Sequence, residues 1–295
     1  MQSTQQDVRY NDKEIKNGML VRELPSWVNF VNFVRDPEES WGTLIYRGQA
    51  NANWKVTSTL DRLEKRFPTQ PYLGQDDYFK VPRVPKRKTQ LDRFKEMARG
   101  RLSSLIPDIE EDEWWALAQH HGMATPMLDW TYSPFVALYF AFEEEKCPNR
   151  APAKRAVFAL AHQLIPADKT CLLHPKPIVP KWPGNYRLTN QGGLFLQMPQ
   201  GTHLEGYVKK KFKSETYGLQ AGGKGNPHPN LVLQKFIIPN SDKDRIECLR
   251  FLDYMNINRA SLFPDLDGAA QYVNDLWEVN FDKAIGYIND TSCRS

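Results

Sequence analysis

Residues able to bind a ligand or move a proton are concentrated in one short stretch, residues 119–134. One of its two adjacent histidines, His120 or His121, could hydrogen-bond a ligand or transfer a proton, because the pKa of histidine lies near neutral pH. Only one of them can face a given site, since consecutive helical side chains diverge by about 100°. Asp129 could orient that histidine or anchor an arginine, and Trp130 could offer an aromatic face for stacking.

A second group of candidate residues is the run Tyr46-Arg47-Gly48-Gln49, which lies on a predicted strand. An arginine on a buried strand is costly unless its planar donors meet an anion or a carboxylate. Two interpretations therefore stay open: Arg47 binds a ligand phosphate, or it forms a structural ion pair with a carboxylate such as Asp129. Gly48 would let a ligand approach the backbone closely.

Two further motifs lie in the second half of the chain. Arg187 and Gln191 place a guanidinium and an amide just before a glycine pair and a predicted strand. Residues 263–268 contain two acids ahead of a helix, and a favourable contact with the helix dipole explains them best.

Hydrophobic spacing and capping signals predict the elements that position these residues. Strands and helices intermix without a regular β-α-β rhythm, which favours an α+β fold. Ser133 is assigned to capping an apolar helix that has Pro134 at its first position. The predicted helices span 27–34, 89–104, 110–121 (ended by Gly122), 134–142, 242–255 (capped by Ser241) and a final core helix after 268; the predicted strands span 41–49, 126–128, 156–161, 192–198 and 231–239.

Charge and composition shifts define the predicted domain organisation. Residues 1–24 are expected to be loosely ordered, and residues 25–295 to form one domain with basic loop insertions near 62–90 and 205–230. The basic blocks at 80–88 and 209–213 could hold phosphates of a nucleotide or of a nucleic-acid backbone, and solvated loops are the alternative. The net charge of +4 by itself implies no partner.

Bulk properties exclude several classes of protein. A hydrophobic content of 41% and a charged content of 25% are typical of a globular protein with a real core. The sequence has no apolar run of the roughly 18–20 residues that span a bilayer, and no apolar signal-peptide centre, so we expect a cytoplasmic protein without a membrane partner. The four cysteines are scattered and lack zinc-ligand spacing, so no metal is expected. Hydrolase-elbow, Walker, Rossmann and His-Glu-x-x-His motifs are absent from the sequence.

Taken together, the motifs at 46–49, 118–134, 187–195 and 262–268 resemble the FRG domain family, whose aromatic-Arg-Gly signature is Tyr46-Arg47-Gly48 here. The resemblance spans roughly residues 25–275, in the family's order. The FRG family is itself similar to ADP-ribosyltransferases. This implies a split β-sheet with flanking helices that binds NAD, as substrate, in a cleft.

The resemblance also implies roles for individual residues. Arg47 corresponds to the arginine that binds the NAD phosphates or ribose, and residues 129–137 resemble the strand and helix that contact the nicotinamide ribose. One of His120 and His121, with Thr131 or Ser133, would hold that ribose. The chain departs from the transferase pattern at Gln191, where a catalytic glutamate would be expected, because glutamine can donate and accept hydrogen bonds but carries no charge.

Catalysis would then need a carboxylate from elsewhere, for which Asp129 and Glu205 are the candidates, or it would rely on positioning alone. The leading hypothesis is an NAD-dependent mono-ADP-ribosyltransferase that acts as a toxin or anti-phage effector and is neutralised by an antitoxin. The basic blocks favour a nucleic-acid acceptor over a protein one, with RNA as the first candidate, and Trp130 could stack on a base. The alternatives are a nucleotide- or nucleic-acid-binding module without transferase activity, and an NAD glycohydrolase.

Overall fold

The computed structural model describes residues 16–35, 44–66, 87–101, 109–143, 154–181, 186–213 and 231–280. Several predicted features lie outside these residues. They are the start of the strand at 41–49, the end of the helix at 89–104, most of the basic block at 80–88, the second half of the insertion at 205–230, and Cys147 and Cys293.

Seven strands form one mixed sheet in the order β1-β7-β4-β2-β3-β6-β5. β1 runs parallel to β7, and the other neighbours are antiparallel. The α+β class predicted from the sequence is confirmed. The strands are β1 Met19–Glu23, β2 Ile45–Gln49, β3 Met127–Thr131, β4 Lys154–Leu160, β5 Lys176–Ile178, β6 Gly193–Gln197 and β7 Leu233–Pro239.

The sheet is divided where β2 meets β3. β2 pairs along its whole length with β4, and β3 pairs along its whole length with β6. β2 and β3 pair with each other only where Tyr46 faces Thr131. If that register continued, Gly48 would face Asp129, but the strands diverge before this point. The sheet therefore consists of a four-stranded and a three-stranded part, joined at one end of a split.

Helices cover both parts of the sheet. α1, α5 and α8 pack with β4 and β7 in one hydrophobic cluster, α7 lies in a second cluster with β2 and β6, and α3 and α4 lie in a third with β3 and β6. The helices are α1 Trp27–Arg35, α2 Thr59–Arg66, α3 Arg87–Ala98, α4 Glu111–His120, α5 Pro134–Phe142, α6 Tyr186–Asn190, α7 Leu204–Lys211, α8 Asp242–Tyr254, α9 Arg259–Leu262 and α10 Leu266–Val279.

Local signals defined three helix ends correctly. The Ser133 hydroxyl accepts the Val136 N–H, with Pro134 as the first residue of α5. Ser241 caps α8 in the same way. Gly122 terminates α4 two residues after its last helical residue, His120, and its φ of 82° places it in the left-handed region. Two backbone bonds, from Gly122 and from the residue after it, close the helix in a Schellman motif.

Four expectations about the elements were wrong. Residues 19–23, expected to be loosely ordered, form β1, because pairing with β7 buries Leu20 completely. The strand predicted at 126–128 continues to Thr131, since β6 pairs with it throughout. The insertions near 62–90 and 205–230 contain parts of α2, α3 and α7. The final helix α10 is largely exposed and buries only Gly268 and Val279. In the described parts of the chain, no helix is long and apolar enough to span a bilayer.

Candidate functional site

A cavity of about 410 Å³ lies at the split between β2 and β3. Its walls come from β2, β3, α2, α4, α6 and the segment before α10. Its volume falls within the ~300–1,000 Å³ that is typical of ligand pockets. It brings together ten of the twelve site residues predicted from the sequence: Tyr46, Arg47, Gly48, Gln49, His120, Asp129, Trp130, Thr131, Arg187 and Gln191.

Arg47 spans the split. Its Nη1 donates to the Asp129 backbone carbonyl over 2.6 Å, while the nearest Asp129 carboxylate oxygen is 3.9 Å away. The guanidinium thus replaces the ladder bonds that the diverging strands cannot make, and its ion pair with the carboxylate is loose. Its Nε is buried without a hydrogen-bond partner. Arg47 therefore has a structural acceptor, while one of its donors has no partner in the protein.

The electrostatic surroundings of Arg47 favour an anion. Burial lowers the pKa of Arg47, the Asp129 carboxylate raises it, and the Arg62 guanidinium on α2 lowers it further. Arg62 and Arg187 both line the cavity with Arg47. Three guanidinium groups around one cavity are suited to phosphate oxygens, with which they form charge-assisted, often bidentate, hydrogen bonds.

Asp129 is oriented by a neighbouring amide. Its side chain is 62% exposed, and one carboxylate oxygen accepts a 2.6 Å bond from Gln119 Nε2. The Oε1 atom of Gln119 accepts a short bond from the buried hydroxyl of Thr125. Because the hydroxyl occupies Oε1, the Gln119 NH₂ group faces Asp129 and leaves the other carboxylate oxygen directed toward Arg47.

Gln191 lies at the closed end of the split. The Nε2 atom of Gln191 donates to the Leu262 carbonyl over 3.2 Å, and the backbone carbonyl of Gln191 accepts from the Thr131 hydroxyl over 2.6 Å. A glutamate side chain at position 191 would place a carboxylate against the Leu262 carbonyl, which only an N–H or O–H donor can satisfy. This contact is a physical reason for glutamine rather than glutamate here.

Arg187 from α6 and His120 from α4 line the same cavity. Arg187 donates through Nε and Nη2 to one carboxylate oxygen of Asp265, and its guanidinium lies 5.5 Å from the centre of the Phe263 ring. Burial, the neighbouring His121 and Arg187 lower the pKa of His120, while Asp265 raises it. His120 is therefore predominantly neutral at pH 7 and can offer both a donor and an acceptor.

Two predicted site residues lie outside the cavity. His121 is the C-cap of α4, exposed, with its ring 5.1 Å from that of His120. Ser133 is used as the helix cap, as the sequence predicts. Glu205, a candidate carboxylate, is also absent from the cavity wall. It is buried at the start of α7, where its Oε2 accepts the Val56 N–H over 3.1 Å.

Two expectations about residues in the cavity need correction. Trp130 is only 2% exposed and packs in the hydrophobic cluster of α7, so it presents no stacking face. Gly48 is required by helix packing rather than by a ligand, because a Cβ there would lie 2.0 Å from the Ala137 carbonyl oxygen and 2.5 Å from the Ala141 nitrogen of α5.

The cavity also contains residues that sequence reasoning missed. Trp54, 41% exposed, supplies the exposed aromatic surface that Trp130 lacks. Glu143 lines the wall as a second acid but lies 3.5 Å from the Arg259 guanidinium. Gln119 is the first residue of the 119–134 motif, but only its contacts show a role. Arg62, Phe140 and Phe263 also line the cavity. Within the described residues, no group of three or more His, Cys, Asp or Glu side chains could hold a metal ion.

The sequence model of the FRG domain matches residues 42–150. This match supports the FRG family for that part of the chain. It includes Arg47 and the whole 119–134 motif, and it ends before Arg187 and Gln191. No curated protein and no solved structure matches the chain.

Proposed function

We propose that the protein is an NAD-dependent mono-ADP-ribosyltransferase. One observation carries the proposal: Arg47, Asp129 and Gln191, which are far apart in the chain, line one cavity at a split in the sheet. A sheet divided beside an arginine-bearing strand is similar to the split sheet of ADP-ribosyltransferases. The FRG domain match over residues 42–150 adds support through that family's similarity to the same enzymes.

Arg47 and Arg62 would bind the NAD diphosphate. Arg47 offers its buried Nε and the part of its guanidinium not bonded to Asp129, and Arg62 lies close enough to lower its pKa. A diphosphate between the two guanidinium groups would offset their mutual repulsion, so this arrangement favours a bound anion.

The closed end of the split would hold the nicotinamide-side ribose. Gln191 lies there beside Thr131, whose hydroxyl donates to the Gln191 backbone. The neutral ring of His120, which lines the same cavity, can accept from or donate to a ribose hydroxyl. Gln191 positions the ribose and does not act as a base.

Asp129 would supply the negative charge that the expected glutamate provides in transferases. As nicotinamide leaves, the bond from ribose C1′ to the nicotinamide nitrogen breaks and the electron pair goes to that nitrogen. The positive charge that develops on the ribose is stabilised by a nearby carboxylate. The acceptor nucleophile then bonds to C1′ and loses its proton. Of the two acids lining the cavity in the described residues, Glu143 lies against Arg259, whereas the Asp129 side chain is mostly exposed.

Such an activity fits a toxin or anti-phage effector whose own cell restrains it with an antitoxin. A nucleotide-binding module without transferase activity is the second candidate, and the amide at Gln191 is the observation that favours it. An NAD glycohydrolase, with water as the acceptor, is the third.

The purified protein, incubated with NAD labelled in the adenosine part and with total RNA, DNA or protein, distinguishes the three. A transferase releases nicotinamide and labels one pool, and Asp129→Asn lowers nicotinamide release by about 10²-fold or more, as loss of one electrostatic stabiliser does elsewhere. Nicotinamide release with no labelled pool identifies a glycohydrolase. Intact NAD with every pool unlabelled would refute the enzyme and leave the binding module.

A further inference from the structure

Four exposed lysines lie on two segments of the chain, the loop after β2 and the end of α7. Lys55 follows Trp54 directly, and Lys209, Lys210 and Lys211 form the last turn of α7. All four lysines are exposed, and none forms an ion pair with a described residue. We name these four residues the basic strip.

Hydrogen bonds join the two segments that carry the basic strip. The Leu204 N–H at the start of α7 donates to the Val56 carbonyl over 3.0 Å. Lys235 on β7 lies between the segments, and its Nζ donates to the Ala52 carbonyl over 2.6 Å. Burial lowers the pKa of Lys235, Glu205 raises it, and both Lys55 and Lys209 lower it. The lysines thus form one positive surface rather than two separate blocks.

One acid, Glu205, acts on this surface, because its carboxylate raises the pKa of Lys235. Glu205 is the acid nearest to it in the chain, but its carboxylate is buried with one oxygen bonded to the Val56 N–H and lies 3.4 Å from His203 Nδ1. Its negative charge therefore acts on Lys235 and His203, and it forms no ion pair with the four exposed lysines.

One end of the basic strip adjoins the cavity. Trp54, next to Lys55, lines the cavity and keeps 41% of its surface exposed, and Arg62 lines the same cavity. A flat aromatic face beside consecutive cations is the combination that binds single-stranded nucleic acids: the bases stack, and the phosphates follow the positive charges. A duplex keeps its bases inside the helix, where Trp54 could not reach them.

We propose that the basic strip and Trp54 form the binding surface for a single-stranded nucleic acid, which delivers one nucleotide to the cavity as the acceptor. The delivery step rests on the proposed transferase function, whereas the binding itself requires neither NAD nor catalysis.

Fluorescence anisotropy with a labelled 12-nucleotide RNA, the DNA of the same sequence and the corresponding RNA duplex tests the binding, without NAD, at several salt concentrations. The main variant combines Lys55→Ala, Lys209→Ala and Lys210→Ala. Its matched control combines Lys169→Ala, Lys181→Ala and Lys243→Ala, which removes the same charge from exposed positions elsewhere.

For the main variant, the slope of log K against log salt should become shallower by about 2, since each neutralised phosphate contributes ~0.7 in single strands. Trp54→Ala should weaken binding about 5- to 150-fold without changing that slope, and Trp54→Phe should retain most of the affinity. Both single strands should bind more tightly than the duplex.

Any of four results would overturn the proposal: no binding of either single strand at low salt, equal binding of the duplex, equal losses in the main variant and its control, or unchanged affinity in Trp54→Ala. Failure of the transferase leaves a different pattern, with normal single-strand binding but intact NAD. Labelling of protein alone would support the transferase while removing the nucleic acid as its acceptor.

Discussion

Replacing Arg47 by alanine should abolish activity with little change in stability. The substitution removes the 2.6 Å bond to the Asp129 carbonyl, and a bond of this kind, with a charged donor, contributes ~1.5–3 kcal/mol. It also removes a buried Nε that has no partner, and an unsatisfied buried donor costs ~1–3 kcal/mol. The two effects oppose each other, so we expect the free energy of unfolding to change by less than about 1 kcal/mol.

The effect on catalysis should be much larger. If Arg47 makes two charge-assisted bonds to the NAD diphosphate, their loss amounts to ~3–6 kcal/mol. That corresponds to a fall of about 10²- to 10⁴-fold in kcat/KM. Arg47→Lys keeps the charge but loses the planar fork, and it should recover only a small part of the activity.

Urea unfolding and nicotinamide release, measured on the same preparations, separate the two effects. Arg62→Ala is the control, because it removes a cation from the same cavity without touching the bridge across the split. A loss of 3 kcal/mol or more in Arg47→Ala, on the scale of a broken buried interaction, would show that Arg47 chiefly holds the two parts of the sheet together. Unchanged activity would remove Arg47 from the site.

Three further substitutions test the geometry. Gly48→Ala forces a Cβ into the α5 backbone and should lower the free energy of unfolding by about 3 kcal/mol. The comparison variant Gly122→Ala places its Cβ where no atom lies within 4 Å, so it should cost only ~1–2 kcal/mol through its positive φ. Urea titration of the two variants measures the difference. Gln191→Glu should melt at a lower temperature than Gln191→Ala at pH 7, because an ionised glutamate cannot donate to the Leu262 carbonyl. Its melting temperature should rise as the pH falls and the glutamate becomes protonated. Equal melting temperatures of the two variants at pH 7 would contradict this. The pKa of His120 is lowered in the folded state, so the stability that its neutral form confers is complete above the unfolded pKa of ~6.5 and is lost as the pH falls through the folded pKa. The free energy of unfolding of His120→Gln, measured between pH 7.5 and 5, should therefore depend less on pH than that of the unmodified protein.

The elements that were predicted correctly depend on short-range chemistry. The Ser133 cap, Pro134 at the first helical position and Gly122 at the end of α4 each act within a few residues, so the sequence alone reveals them. The errors have a different origin. β1 and the second half of β3 depend on pairing with distant strands, and pairing partners cannot be read from local periodicity.

The residues of the cavity likewise depend on packing between distant segments, which local sequence patterns do not reveal. The resemblance to the FRG family brought Arg47, Asp129 and Gln191 together, because no local pattern specifies that β2 lies beside β3. Trp54 was missed for the same reason. Trp130 was given the stacking role because it lies inside the motif, but strand alternation places its ring in the core and leaves Asp129 exposed.

The presence of glutamine at position 191, where transferases have a glutamate, changes the interpretation of the site less than the sequence alone implies. Gln191 is fixed at the closed end by its bond to the Leu262 carbonyl, so a neutral donor is required there whatever the reaction. The negative charge lies farther along β3, on Asp129, where the Gln119 amide orients one carboxylate oxygen and the Arg47 guanidinium lies near the other. An amide that positions the ribose and a carboxylate that stabilises charge are two separate tasks. The proposed mechanism assigns them to two residues, so the absence of a glutamate at position 191 does not by itself argue against catalysis.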